Sequence, residues 1–141
     1  MQHRSTSGLP LEAVAHNLSP RIARALQALF ADDHIILALR EKFSTSVTDI
    51  EWITTLDADG GWAVLTKDSR IRSRPHERAA LDRSRVVYFF LSGSWNKCSV
   101  EETTWRLIRL VPKMVAQTDL ADRGRFELPI NAGSKLRPHK D

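Results

Sequence analysis

The chain has 141 residues, 42% of them hydrophobic and 27% charged, which suits one ordinary domain with a buried core. Its single cysteine, Cys98, excludes an internal disulfide and a structural zinc site built from several cysteines, and fits a reducing cytosol. The formal charge of +4 favours an acidic partner or nucleic acid, while no apolar run is long enough to cross a bilayer.

The first ten residues, MQHRSTSGLP, are polar and carry no apolar signal core, so secretion is not expected and a cytoplasmic location is. Leu9 to Val14 is a short strand candidate, followed by the turn Ala15-His16-Asn17. Ser19-Pro20 then opens a helix, serine suiting the N-cap and proline the first helical position. Ile22, Leu26, Leu29 and Phe30 recur at helical spacing, and Asp32-Asp33 marks the stop. His34 to Leu39 (HIILAL) reads as a buried strand, and Arg40 to Val47 as a polar loop.

Thr48-Asp49-Ile50-Glu51 has the spacing of a capping box, with Thr48 as N-cap and Glu51 reaching back to it. Ile50, Ile53 and Leu56 face the core of that helix, and Gly60 ends it. Trp62 to Thr66 is the next strand and Pro75 to Arg83 a short helix. Val86 to Leu91 (VVYFFL), apolar throughout, has the pattern of a central parallel strand covered on both faces. Ser99 and Glu102 suggest a second capping box. The helix after it carries Trp105, Ile108, Val111 and Val115, and Pro112 is expected to kink or break it. Phe126 to Ile130 reads as an edge strand and Asn131 to Asp141 as a loose basic tail. The expected division is a domain over residues 9–120, then an edge strand and tail over residues 121–141.

Strands alternating with helices imply βα units: an α/β fold with a mostly parallel central sheet and helices on both faces. A helix from Thr48 to Ala58 rises about 16 Å. The strand after it spans about 20 Å in the opposite sense. The chain therefore returns to its starting level, and Asp49 and Asp68 should share the carboxyl edge of the sheet, where ligands of open α/β sheets bind. Two carboxylates about 4 Å apart repel by roughly 4 kcal/mol at an effective dielectric of 20. They require a cation, a shared proton or arginines. Mg²⁺ or Mn²⁺ is the hard cation such oxygens suit, and Arg70, Arg72 and Arg74 are placed to grip flanking phosphates.

Each of these residues also has a plainer reading. Asp49 is favoured in the first helical turn by the helix dipole alone. Glu51 reads first as a capping residue and second as a metal ligand. Asp68 can start a turn or pair with Arg70. His34 and His76 stand alone and read as structural or solvated. Cys98 has no base partner and reads as inert. The four tryptophans read as core rather than as base-stacking platforms.

Together, Asn17 to Leu26 (NLSPRIARAL), Asp49 to Ile53 (DIEWI), Val64 to Ile71 (VLTKDSRI) and Tyr88 to Leu91 (YFFL) resemble the PIN-like domains of bacterial toxin–antitoxin systems. The resemblance runs from Asn17 to about Ala116. It implies a three-layer α/β/α sandwich and a Mg²⁺- or Mn²⁺-dependent ribonuclease, a toxin neutralised by a cognate antitoxin protein, with homodimers common. It assigns Asp49 and Asp68 as metal-holding catalytic acids and Glu51 as an assisting one. The family's first acid, at the end of the first strand, falls here on Ala15, which has no oxygen to offer; His16, Asn17 and Glu12 stand nearby as the residues a shifted ligand would come from. The resemblance therefore implies the nuclease scaffold, with cleavage weakened or lost. Two other readings are a catalytically dead module that binds RNA or an antitoxin, favoured by Ala15, and a receiver-like regulatory domain, disfavoured because no acid pair follows the first strand.

Overall fold

A computed structural model describes residues 10–68 and 74–138. Arg70 and Arg72 lie outside the described residues. Six strands form one sheet in the order β2-β1-β3-β4-β5-β6. They are β1 (Glu12–His16), β2 (Ile35–Ala38), β3 (Ala63–Thr66), β4 (Val87–Phe90), β5 (Gly124–Glu127) and β6 (Arg137–Pro138). The first five run parallel, and β6 adds antiparallel to β5. The helices are α1 (Pro20–Phe30), α2 (Leu39–Lys42), α3 (Asp49–Asp59), α4 (Pro75–Arg83) and α5 (Val100–Leu120), with a 3₁₀ turn over Gly93–Lys97. None of the described helices is long and apolar enough to cross a membrane.

The alternation of side chains along each strand divides the core between two layers. Ala13, Ala15, Leu65, Val87, Phe89 and Leu91 pack with Ile22 and Leu26 of α1 and with Leu107, Leu110 and Met114 of α5. Val14, Val64, Tyr88 and Phe90 face the other way, onto Trp52, Ile53 and Leu56 of α3 and Leu81 of α4. The molecule is thus the expected α/β/α sandwich around a mostly parallel sheet. Trp95 is buried, and its indole N–H donates to the Leu128 carbonyl at 2.9 Å, tying the exit of β4 to that of β5. Burial pushes the Tyr88 phenol pKa well up, and its hydroxyl meets Ser84 Oγ at 3.0 Å.

Several expected boundaries move. The first strand is Glu12–His16 rather than Leu9 to Val14, because Ala15 and His16 are needed in the ladder: Ala15 pairs with Ala38 and Leu65, and His16 with Thr66. The expected polar loop at Arg40 contains the short α2, where the Glu41 carboxylate accepts the Ala38 N–H at 2.8 Å. Pro112 does not break α5. It is exposed, while Leu110, Val111 and Met114 pin the helix to the sheet. The strand expected at the edge starts at Gly124 rather than Phe126, and β6 pairs beyond it to take the edge itself. The tail is not loose through its described part, since Arg137 and Pro138 pair with Glu127 and Phe126, and Lys113 Nζ donates to the Ser134 carbonyl at 3.0 Å. Trp105 is 44% exposed rather than core, with the Arg106 guanidinium 4.5 Å from its ring centroid.

His34 is structural: its Nδ1 accepts the Leu11 N–H at 2.9 Å, which holds the entry to β1 against the start of β2. Burial lowers its pKa, partly opposed by the charge of Asp33. A lowered folded pKa means that the folded chain binds the proton less readily than the unfolded one, so this contribution is present above the usual histidine range and lost as pH falls through the folded pKa. Wild-type melting temperature should therefore fall from pH 7.5 to pH 5, and His34→Gln, which keeps an acceptor but cannot titrate, should show a shallower slope. Equal slopes in calorimetry would refute the role given to His34.

Candidate nuclease-type site at the carboxyl edge

The parallel register His16↔Thr66 sets the ends of β1 and β3 side by side. Thr66 is buried and its hydroxyl serves both strands. It accepts the Asp68 N–H at 2.9 Å and lies 2.9 Å from His16 Nδ1. This fixes Asp68 just beyond β3. Asn17, the next residue after β1, takes the left-handed conformation (φ 58°), which turns the chain sharply toward α1. Asparagine is among the few side chains that accept it readily.

Asp49 is the first residue of α3. Thr48 Oγ1 accepts the Glu51 N–H at 3.1 Å and Glu51 Oε1 accepts the Thr48 N–H at 2.8 Å, so the expected capping box is formed. Asp49 Oδ1 accepts from the indole N–H of buried Trp52 at 2.9 Å, one turn on. His16 Nε2 lies 3.6 Å from the same oxygen, and its ring is tilted over Trp52 with centroids 5.0 Å apart. The remaining oxygen, Oδ2, takes Arg74 Nη2 at 3.1 Å.

That nitrogen also donates to Asp68 Oδ2, at 3.4 Å. One guanidinium nitrogen thus bridges the two acids, and their oxygens are no farther apart than those two contacts allow. Arg74 Nε has no acceptor within hydrogen-bonding distance, and Glu77 Oε1 stands 3.6 Å from it. Burial lowers the His16 pKa, the charges of Asp49 and Asp68 oppose that, and Arg74 adds to the lowering. A groove of about 540 Å³ opens beside this cluster, walled by Ala15, Asn17, Arg40, Val47, Asp49 and Trp52.

The sheet edge therefore brings Asp49, Asp68 and Arg74 together. Glu51 is not brought to them. Its carboxylate is committed to the Thr48 N–H, which holds its pKa below the usual carboxylate range, and it lines a separate groove with Ser44 and Thr55. The metal role expected for it gives way to the capping role. Arg74, expected to grip phosphate, is engaged with three carboxylates. His16 was placed at this edge by the sequence, but its contact with Asp49 was not expected, and Thr66 and Trp52 were not singled out as site residues. The one available signal was the indole three residues after Asp49, a helical spacing that lets a donor reach back to a first-turn acid.

Two carboxylates converging on one point supply hard oxygens of the kind Mg²⁺ or Mn²⁺ takes, with water and substrate oxygens completing the shell. The donor set suits such an ion only at this minimum, because Ala15 contributes no ligand. Among the described residues, no group of three or more His, Cys, Asp or Glu side chains is spaced to hold a metal.

The Trp52–Asp49 bond is charge-assisted and buried on its donor side, so Trp52→Phe should cost about 1.5–3 kcal/mol. Urea denaturation of Trp52→Phe, Asp49→Ala and the double variant should show coupling, the double costing less than the two singles together. Strict additivity would mean that the bond does not hold Asp49.

No curated protein and no solved structure matches the chain. A family model described as PIN like domain matches residues 14–93, more than half of the sequence. The matched region holds every residue of the edge cluster, from His16 through Asp49 and Asp68 to Arg74. PIN domains are of nuclease type and generally use divalent metals, and the chain belongs to the PIN-like domain family.

Proposed function

We propose that the chain is a divalent-metal-dependent endoribonuclease of low intrinsic activity, acting in the cytosol as the toxin of a toxin–antitoxin pair. The observation that carries this reading is the convergence of Asp49 and Asp68 on one cation, Arg74 Nη2, at the carboxyl edge of a PIN-like sheet. Asp49 and Asp68 hold Mg²⁺ or Mn²⁺ in the working enzyme. A metal so held supplies an activated water and neutralises charge building on a phosphodiester. The chain's own share is positional. Trp52 and the capped start of α3 fix the Asp49 carboxylate, and the Thr66 hydroxyl fixes the Asp68 backbone. His16, bonded to Thr66 through Nδ1 and tilted over Trp52, packs beside Asp49. Arg70 and Arg72 contact the flanking RNA phosphates. A cognate antitoxin protein covers the site or the exposed side of α5 around Trp105, the same face that would serve a homodimer.

A second reading is favoured by Ala15 and by the guanidinium between the acids: a module that binds RNA or an antitoxin without cutting. Incubation of RNA with Mg²⁺ or Mn²⁺ separates the two. Wild type should give slow cleavage that chelation stops, and Ala15→Asp should cut faster. Asp49→Asn and Asp68→Asn should each lose about a hundredfold or more, since even groups behind the ligands of a metal site contribute 10–100-fold. RNA retention that survives chelation, with no product from wild type or Ala15→Asp, would select the binding module instead.

A further inference from the structure

Arg74 bridges Asp49 Oδ2 and Asp68 Oδ2 through a single nitrogen, at 3.1 and 3.4 Å. Arginine binds a carboxylate most strongly through two parallel N–H bonds. Arg74 gives neither acid that pairing, since it reaches both through Nη2 alone. The buried Nε finds no hydrogen-bond acceptor, and the side chain as a whole remains 41% exposed. Arg74 is therefore held at the acids by charge but fitted poorly, with an open path to water. It stands at the N-cap of α4 and makes no side-chain cap bond there, so its departure costs the helix none.

We propose that Arg74 is an exchangeable internal counter-ion: its guanidinium and a divalent cation compete for Asp49 and Asp68, so metal binds only as Arg74 withdraws. The inference rests on the metal reading given above and adds a regulator to it. A guanidinium within hydrogen-bonding distance of both oxygens leaves no room for a metal with ligand distances near 2 Å and its own waters. Two cations at one spot also repel. The protein without metal is thus spared the repulsion of two bare carboxylates, and metal affinity is reduced by the need to displace an ion already present.

Titration calorimetry with Mn²⁺ alone, on the full chain, tests this. Arg74→Gln should bind Mn²⁺ at least about tenfold more tightly than wild type, and its metal-free form should melt at a lower temperature. Arg74→Lys, which keeps the charge as a more mobile point, should fall between the two and serves if the glutamine variant does not fold. Asp49→Asn in the Arg74→Gln background should remove the gain. Equal or weaker Mn²⁺ binding by the arginine variants than by a wild type that does bind would overturn the competition while leaving the metal site standing. Absence of Mn²⁺ binding from wild type and arginine variants alike would overturn the metal site and the competition with it.

Discussion

Two carboxylates held at neighbouring positions cannot remain uncompensated, and much of this molecule's carboxyl edge follows from that. At an effective dielectric of 20 a pair about 4 Å apart repels by roughly 4 kcal/mol, a large share of the stability of an ordinary domain. The fold creates the problem deliberately. Parallel pairing of β1 with β3 brings Thr66 beside His16, and the right-handed crossover returns the start of α3 to the same edge. Asp49 and Asp68 must then meet, and Arg74 is the ion that permits it.

The edge is stiff where it presents acids and loose where it presents the cation. Asp49 sits in a helix start whose N-cap and third residue bond each other reciprocally, and it is tied again to a tryptophan buried to 1%. The Asp68 N–H is held by the hydroxyl of Thr66, the buried last residue of β3. Arg74 reaches in on a long side chain from the lead-in to α4, 41% exposed as a whole although its Nε is buried. Rigid acids with an adaptable counter-ion form an arrangement in which the cation can change and the acids need not move. Preorganised anionic ligands are what a metal site requires, and an arginine in their midst keeps the same site stable without metal.

Much of the sandwich was legible because local signals agreed with one another. The apolar run through Val87–Phe90 announced a strand covered on both sides, and both serine and threonine caps fell where the helices begin. The meeting of Asp49 and Asp68 followed from element lengths alone. What escaped depended on partners distant in sequence. His16 belongs to β1 only because Thr66 of β3 lies beside it to pair, and a strand that short has no periodicity of its own. Arg137 and Pro138 form a strand only because β5 offers an open edge. Arg74 read as one basic residue among several. The start of α4 was legible, but Arg74's position at the acids depends on how that helix packs against α3 and the sheet, which spacing along the chain does not encode.

Ala15 and Arg74 belong to one physical account. Ala15 lies on the wall of the groove beside Asp49 and packs toward α1 among other small side chains. An acid there would raise the negative charge of the edge beyond what one guanidinium offsets, and a divalent ion would become the natural partner. With alanine in that place, the edge presents Asp49 and Asp68 to Arg74, which meets both through one nitrogen. On the proposed metal reading, metal binding would be limited from two sides: by alanine on β1, which offers no oxygen, and by the guanidinium placed before α4. Restoring the oxygen strengthens the demand for charge, whereas removing the competitor exposes a demand already present, so the two changes act on the same pair of acids from opposite sides.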